Sequence, residues 1–417
     1  MTSALRQSEI GPKDLLFIHG GRLPTEKAHG YQVMKMCDAF AAQSVRTTLL
    51  YPRRRLPSDL KDVSPFDYYG VPARFRLKRL PGIDFLFIAA RINERLKPMA
   101  ARLQAIVFAV TVLLRLLPYW FSSNAVFYTR DIYVALLLLW CRPLLKGRIV
   151  YEAHTFPERR SERLANRLRK ADGVVCITRQ LKRFFAEKNV PENKIAVEHD
   201  AVDIKLFMDA PERNACREKL GLNRDRRIIG YIGRFETLGM EKGITDLIRA
   251  MPSLLDDSQT EDALLLCVGG PLSLLDQYRD TAAEYGVPTN VLRFVDRVPN
   301  TEVPLWIKAC DVVTIPWRWT RFSAWYTSPL KLFEYMAAEV PIVASRLPSL
   351  EEVLRDGQTA LLFEPGNAQD LAARLKDILT GTYNGEALAR NAKNDVAHYT
   401  WEKRAERILR FIGTKQP

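Results

Sequence analysis

The chain is poor in the residues that build metal and disulfide frameworks, with six cysteines and five histidines in 417 residues. Cys37, Cys141, Cys176, Cys216, Cys267 and Cys310 include no CxxC pair, and most sit in apolar runs such as Val174-Val175-Cys176-Ile177. That pattern argues against a disulfide scaffold and a Cys/His metal site, and fits buried free thiols in a reducing compartment. There is no Walker A loop. There is also no GxGxxG with an acidic residue about 20 positions on, which disfavours a nicotinamide oxidoreductase. No repeat or low-complexity block appears. Residues 1–13 carry no apolar leader segment, and the longest apolar stretches, 105–114 and 134–141, fall short of the ~20 residues that span a bilayer. The expectation is a cytoplasmic protein, in contact at most with the inner face of a membrane.

What is present is ordinary for a globular enzyme: 47% hydrophobic and 26% charged residues. The length suggests two domains. The net charge of +14 is lopsided. Residues 1–205 hold 35 Lys and Arg against 19 Asp and Glu, a net +16, and the rest hold 27 against 29, a net −2. The basic half points to an anionic partner, whether a membrane surface, a lipid-phosphate acceptor or nucleic acid, or else to a surface that is merely soluble. No base-reading or stacking module accompanies the charge, so nucleic acid is not expected.

Short β-branched runs alternate with helical patterns, which implies βαβ units and parallel sheets. Strands are expected at 14–18, 47–51, 125–128, 148–152, 173–177 and 195–198. A second series is expected at 227–232, 263–269, 291–295, 311–315, 341–345 and 361–363. Helices are expected between them, including 29–43, 93–117, 131–141, 158–170, 178–188, 243–255 and 329–338. The polar segment 203–226 reads as a linker between residues 1–205 and residues 206–397. A last amphipathic helix follows at about 401–412. Within 96–119, apolar residues recur at helical spacing with arginines around them. Two readings stay open: a helix lying in a membrane interface, and a core helix with solvated arginines.

Four constellations carry candidate chemistry. Ser328-Pro329-Leu330-Lys331 opens a helix after a strand, with serine and proline in favoured starting positions and first-turn amides suited to a phosphate. Glu334, one turn on, suits a ribose, although a Lys331–Glu334 ion pair is the bland alternative. The run Ile228-Ile229-Gly230-Tyr231-Ile232-Gly233-Arg234, continuing to Lys242-Gly243, places glycine near two cations able to neutralise a pyrophosphate. Gly20-Gly21 follows the first strand, and His29-Gly30 the start of the next helix. Tyr151-Glu152-Ala153-His154 ends a strand, where His154 could bond a sugar hydroxyl or a reacting oxygen.

Together these segments resemble the GT4 family of glycosyltransferases. The likeness is carried by Gly20-Gly21, Glu152-x-His154, Ala201-Val202-Asp203 with Phe207, Gly233-Arg234 with Lys242-Gly243, Val268-Gly269-Gly270 and Ser328–Ala337. The resemblance implies the α/β GT-B fold: two Rossmann-like doubly wound domains, a cleft between them, and a C-terminal helix (398–417) crossing back to the first. It implies a retaining transferase that uses a nucleotide-sugar donor and no metal or other cofactor. Arg234 and Lys242 would grip the diphosphate, with His154 near the reacting carbon. Gly20, Gly21, Gly233, Gly269, Ser328, Pro329, Leu330, Lys331 and Glu334 would hold the donor. His29, Glu152 and Tyr326 would touch acceptor or sugar. The acceptor would be a surface polysaccharide, a glycolipid or a lipid-linked saccharide. The sequence departs from the family where an acidic residue usually stands eight positions before the ribose glutamate. That place is Tyr326, after the loop Trp317-Arg318-Trp319-Thr320-Arg321-Phe322, so donor preference does not carry over. A sugar-nucleotide epimerase of the same fold is the nearest alternative, and a basic nucleic-acid-binding protein a weaker one.

Overall fold

In the computed structural model, which describes residues 12–156, 161–237 and 239–413, the apolar run Leu15–Ile18 becomes a central strand buried on both faces. It is β1 (Asp14–Ile18), and it is joined in one parallel sheet by β2 (Arg46–Pro52), β3 (Arg76–Leu80), β4 (Ala125–Thr129), β5 (Arg148–Ala153), β6 (Gly173–Cys176) and β7 (Ile195–Val197). The order is β3-β2-β1-β4-β5-β6-β7. A second sheet contains β8 (Ile228–Ile232), β11 (Leu264–Val268), β12 (Leu292–Val295), β13 (Val312–Ile315), β14 (Ile342–Ser345) and β15 (Leu361–Phe363). Its order is β12-β11-β8-β13-β14-β15. A small antiparallel hairpin, β9 (Glu236–Thr237) and β10 (Met240–Glu241), follows β8. Both sheets therefore reverse direction beside their first strand, at β1/β4 and at β8/β13. In doubly wound folds that switch point is where ligands bind.

Alternation along β8 explains why it lies at the centre. Ile228 and Ile232 enter one core, with Phe333 and Trp306, while Ile229 and Tyr231 enter the other, with Ile248 and Tyr278. A strand covered on both faces reads as an unbroken apolar run. The edge strand β3 was not expected, because Arg76-Leu77-Lys78-Arg79-Leu80 has the charged look that keeps exposed sheet edges from pairing with other chains.

The chain divides into two compact units, one of residues up to His199 with those from Trp401 onward, the other Asp200–Thr400. The expected linker 203–226 is not a linker. It forms the helices Ile204–Met208 and Arg213–Lys219, and Phe207, Cys216 and Leu222 are part of the second core. Arg217, almost fully buried, meets Asp311 at 2.6 Å. Val202 bridges to Thr400, and Tyr399 packs on Phe333 at 5.0 Å between ring centroids. Residues 200–205 and 398–400 therefore belong with the second unit. The last helix, Trp401–Gly413, packs on the helix Ala28–Ala42 of the first unit. The helix expected at 158–170 is seen as Ser161–Leu168. Residues 1–11, 157–160 and 414–417, on which parts of the first and last expectations fall, lie outside the described residues. All six cysteines are buried and free.

Candidate functional site

In the second unit, the loops after β8, β11 and β13 gather the expected donor-side residues. Gly233 and Gly269 follow their strands at φ +142° and +132°, backbone that side chains rarely adopt. A Cβ on Gly269 would stand 2.5 Å from the Gly233 carbonyl oxygen, and one on Gly233 would stand 2.6 Å from Lys331 Nζ. These glycines are needed for backbone to meet backbone and for the lysine to reach over β8.

Lys331 rises from the helix Leu330–Ala337 and places Nζ 3.6 Å from the centroid of the Tyr231 ring, with Trp317 at 5.9 Å. It has no hydrogen-bond partner and forms no ion pair with Glu334, so the bland local pair is not made. Burial, reinforced by the charge of Lys242, pulls its pKa well below the ordinary lysine value. Lys242 Nζ lies 4.4 Å from the Trp317 ring and 5.3 Å from Phe322, and burial lowers its pKa to about 8. Glu334 is pushed up to about 7 by burial, against the pull of Lys331. Two lysine amines thus lie near one indole, and neither forms an ion pair with a carboxylate among the described residues. Leaving such charges uncompensated is costly, which makes the pocket receptive to an anion.

Other donor-side expectations change in detail. The helix begins at Leu330, with Pro329 as its N-cap and no side-chain cap. Ser328 is not the cap: its Oγ accepts the Asp200 N–H at 2.8 Å and pins the start of the unit. Arg234 is exposed, its Nε 3.4 Å from the Glu236 carbonyl. The Lys242-Gly243 helix cannot offer its N-terminus to a phosphate, because Glu241 accepts the Gly243 N–H at 2.8 Å and the Ile244 N–H at 2.5 Å. The aromatic, basic loop is more ordered than its sequence suggests. Arg318 grips the buried Asp246 at 2.7 and 2.6 Å, which fixes the loop to the helix after β10. Residues Arg321–Trp325 form a short helix with a Thr320/Ser323 capping box. Trp317 is buried, Trp319 is exposed, and Tyr326 is half-buried beside Trp325 at 6.4 Å. Tyr335 was not foreseen. Its hydroxyl accepts the Ile232 N–H at 2.9 Å and donates to the Ile232 carbonyl at 3.1 Å, locking the helix to the end of β8.

In the first unit, the turn after β1 meets the loop after β4. A Cβ on Gly20 would stand 2.3 Å from Asp131 Oδ2, and one on Gly21 2.5 Å from His19 Nε2 and 3.0 Å from His29. The rings of His19 and His29 lie 5.0 Å apart, and burial, then nearby charges, keeps both neutral, His29 at a pKa of about 4. A cavity of about 610 Å³ is lined here by Gly20, Gly21, His29, Arg54, Leu86 and Gln104 among others. Arg54 donates to the Gly20 carbonyl at 2.9 Å, while its Nε and Nη1 are buried without partners. A second cavity of about 920 Å³ continues past Arg53, Arg55, Lys61 and Arg79.

His154 and Glu152 are brought together, but as parts of a closed network. His154 Nδ1 lies 3.0 Å from Arg130 Nη2, and Nε2 lies 2.7 Å from Glu152 Oε1. Arginine only donates, so Nδ1 is the acceptor and Nε2 carries the proton. Burial, then Arg130, holds the imidazole at a pKa of about 4, hence neutral. Glu152 is buried, which opposes its charge, but Arg404, His154 and Arg130 outweigh that and keep it ionised. Its Oε2 meets Arg404 Nη2 at 3.2 Å and accepts from the Tyr128 hydroxyl. The expectation that Glu152 touches acceptor or sugar is therefore corrected: both of its oxygens are engaged within the unit. His154 can meet a substrate only by exchanging one of its present bonds. Arg130, Tyr128 and Arg404 were missed. Arg130, directly after β4, had a positional signal, whereas Arg404 had none.

Two doubly wound parallel sheets of this order, with the last helix returned to the first unit, have the architecture of GT-B glycosyltransferases. Solved structures bear out that fold. HepE of Anabaena, determined in complex with UDP-glucose, superposes with a TM-score of 0.68 over 95% of this chain and 98% of its own, at 16% identity. Sucrose-phosphate synthase of Thermosynechococcus elongatus does so at 0.70 over 95% and 97%, at 19% identity. Residues 212–395 match the family described as glycosyl transferases group 1, the half of the chain in which the GT4 resemblance is strongest. A D-inositol 3-phosphate glycosyltransferase of Corynebacterium efficiens is 26% identical over 70% of this chain and 68% of its own length. One from Thermobispora bispora is 27% identical over 57% of this chain and 55% of its own.

Proposed function

We propose that the protein transfers a sugar from a nucleoside-diphosphate sugar to a saccharide acceptor of a surface polysaccharide, a glycolipid or a lipid-linked precursor. Transfer proceeds with retention and without a metal ion, at the cytoplasmic side of a membrane. The observation that carries this reading is the pair of lysines Lys242 and Lys331, with Nζ 4.4 and 5.9 Å from the Trp317 ring and neither in an ion pair with a carboxylate among the described residues. A diphosphate is the anion that the family's donors would bring there. Arg234 on the rim, the two lysines and the amides at Leu330 and Lys331 would offset the charge that builds on the leaving diphosphate. That role is often given to a divalent cation elsewhere. Glu334, at the next turn, would take the ribose hydroxyls. Gly20 and Gly21 would leave room for the donor's sugar and phosphate and the Arg54 cavity would lie on the acceptor side, with His154 offering a neutral imidazole. The UDP-glucose bound by the Anabaena HepE protein supports a nucleotide-sugar donor.

The test is a thermal-shift panel of nucleoside diphosphates and their sugars, followed by turnover. A ligand at about 100 times its Kd adds ~2.7 kcal/mol of stability. One nucleotide is expected to stand out, and free diphosphate is expected only when donor and acceptor are both present. Conversion of donor alone would mean an epimerase, and silence across the panel would overturn the reading.

A further inference from the structure

We propose that one face of the first unit, built from the helices Phe85–Ile92 and Lys97–Arg115, docks on an anionic lipid bilayer. The longer helix is apolar on two sides. Ala100, Phe108, Val112 and Leu116 are buried, and the helix packs on both Phe85–Ile92 and Ile132–Trp140. The opposite side carries Met99, Leu103, Ile106, Val110 and Leu114, each 45–65% exposed. At 3.6 residues per turn these five, with Leu117 just beyond, fall in a single arc of about 80°. A helix on the surface of a soluble protein places charge there. The core-helix reading accounts for only one side of this helix, and the interfacial reading accounts for the other. The apolar surface continues onto the preceding helix through Ile88 and Ile92, and past the helix end to Phe121, which is 74% exposed. Exposed apolar surface on this scale marks an interaction site.

The helix lies flat. Glu94–Arg115 is long and apolar enough to cross a membrane by length and composition, but its inner side is committed to neighbouring helices. Gln104 Oε1 accepts the Leu86 N–H at 3.2 Å, which ties the two helices together. An outward apolar stripe on a helix anchored along its other side is the geometry of in-plane insertion.

The charge around the stripe selects the partner. Residues 83–121 hold five basic and two acidic positions. Of the acids, Asp84 caps the Phe85–Ile92 helix and Glu94 pairs with Lys97. Arg91, Arg95 and Arg102 are left at the rim. Arg55 and Arg91 both stack on Phe87, at 4.3 and 4.5 Å. A cationic rim around an apolar stripe, in a half carrying +16, fits an acidic headgroup layer. Leu86 and Gln104 of the same helices also line the Gly20–Arg54 cavity. On the functional reading above, an acceptor anchored in the bilayer would therefore reach the transferase from the membrane plane.

The experiment is sedimentation of the full chain with vesicles of phosphatidylcholine alone or mixed with phosphatidylglycerol, in the absence of donor and acceptor. Binding to the anionic vesicles is expected, falling steeply with salt. Ile106→Glu with Val110→Glu should lower vesicle partitioning by about tenfold or more, while the thermal midpoint shows that the variant is folded. Arg91→Gln with Arg102→Gln should reduce the preference for anionic vesicles. Three outcomes would overturn the proposal: no sedimentation with any vesicle, unchanged partitioning of the glutamate variant, or self-association abolished by the same substitutions, which would assign the face to a second copy. None depends on turnover, so this proposal and the donor assignment fail separately.

Discussion

Arg404, in the last helix, places its Nη2 3.2 Å from Oε2 of Glu152, at the end of β5. Both side chains are nearly inaccessible to water. The arginine also donates to the carbonyls of His199 and Glu198, at 2.8 and 3.3 Å. One guanidinium thus closes the network around His154 and ties the end of the chain to the first unit.

Removing one partner of a buried pair strands the other, which costs about 3–5 kcal/mol. Arg404→Met is therefore expected to lower unfolding free energy by that order in a denaturant titration. Arg404→Met with Glu152→Gln should recover a large part of it. Equal stability in the single and double variants would show that the pair is not the source of the loss.

Arg234→Ala, Lys242→Ala and Lys331→Met should each abolish or strongly reduce the nucleotide-induced thermal shift. They should leave the first unit's cavity unaffected. Turnover that survives in the first two would show that the diphosphate is held elsewhere.

Lys242, with its pKa lowered to about 8, carries its charge fully only below that pH. The contribution of this lysine to diphosphate affinity should weaken as pH rises through 8, by up to tenfold per unit. The decline should stop at the higher pKa that the lysine has in the complex. In Lys242→Arg the decline should vanish, since arginine stays protonated throughout. Calorimetric titration across pH 6–10 reads this directly.

Gly269→Ala meets both an unfavourable φ and a backbone oxygen at 2.5 Å. A cost of about 1–3 kcal/mol is expected, with loss of nucleotide binding. Gly21→Ala should act differently, displacing His19 and His29 in the other unit. Its thermal shift with nucleotide should fall less than in Gly269→Ala, while transfer to acceptor falls. Loss of both together would mean that the two half-sites are not separable in this way.

The parallel sheets were legible because buried strands are unbroken apolar runs: β1 and β15 have the bounds that pattern implies. The edge strand β3 was hidden by its own charge. Gly233, Gly269 and Lys331 were found by type, but Lys331 was as compatible with a local pair to Glu334 as with the face of Tyr231. Only tertiary packing chooses between them. Ser328 matched a helix cap by residue type, yet bonds Asp200, a partner far away along the chain. Arg404 sits in an ordinary amphipathic helix, and nothing local distinguishes it from Arg407 or Arg410.

The return of the Trp401–Gly413 helix also sets an order of events during synthesis. At about 5–20 residues per second, the ~250 residues between Glu152 and Arg404 take roughly 12–50 s to translate. Throughout that time the carboxylate of Glu152 has Arg130 as a partner but not Arg404. The unit that is begun first is therefore completed only after the second unit has been made.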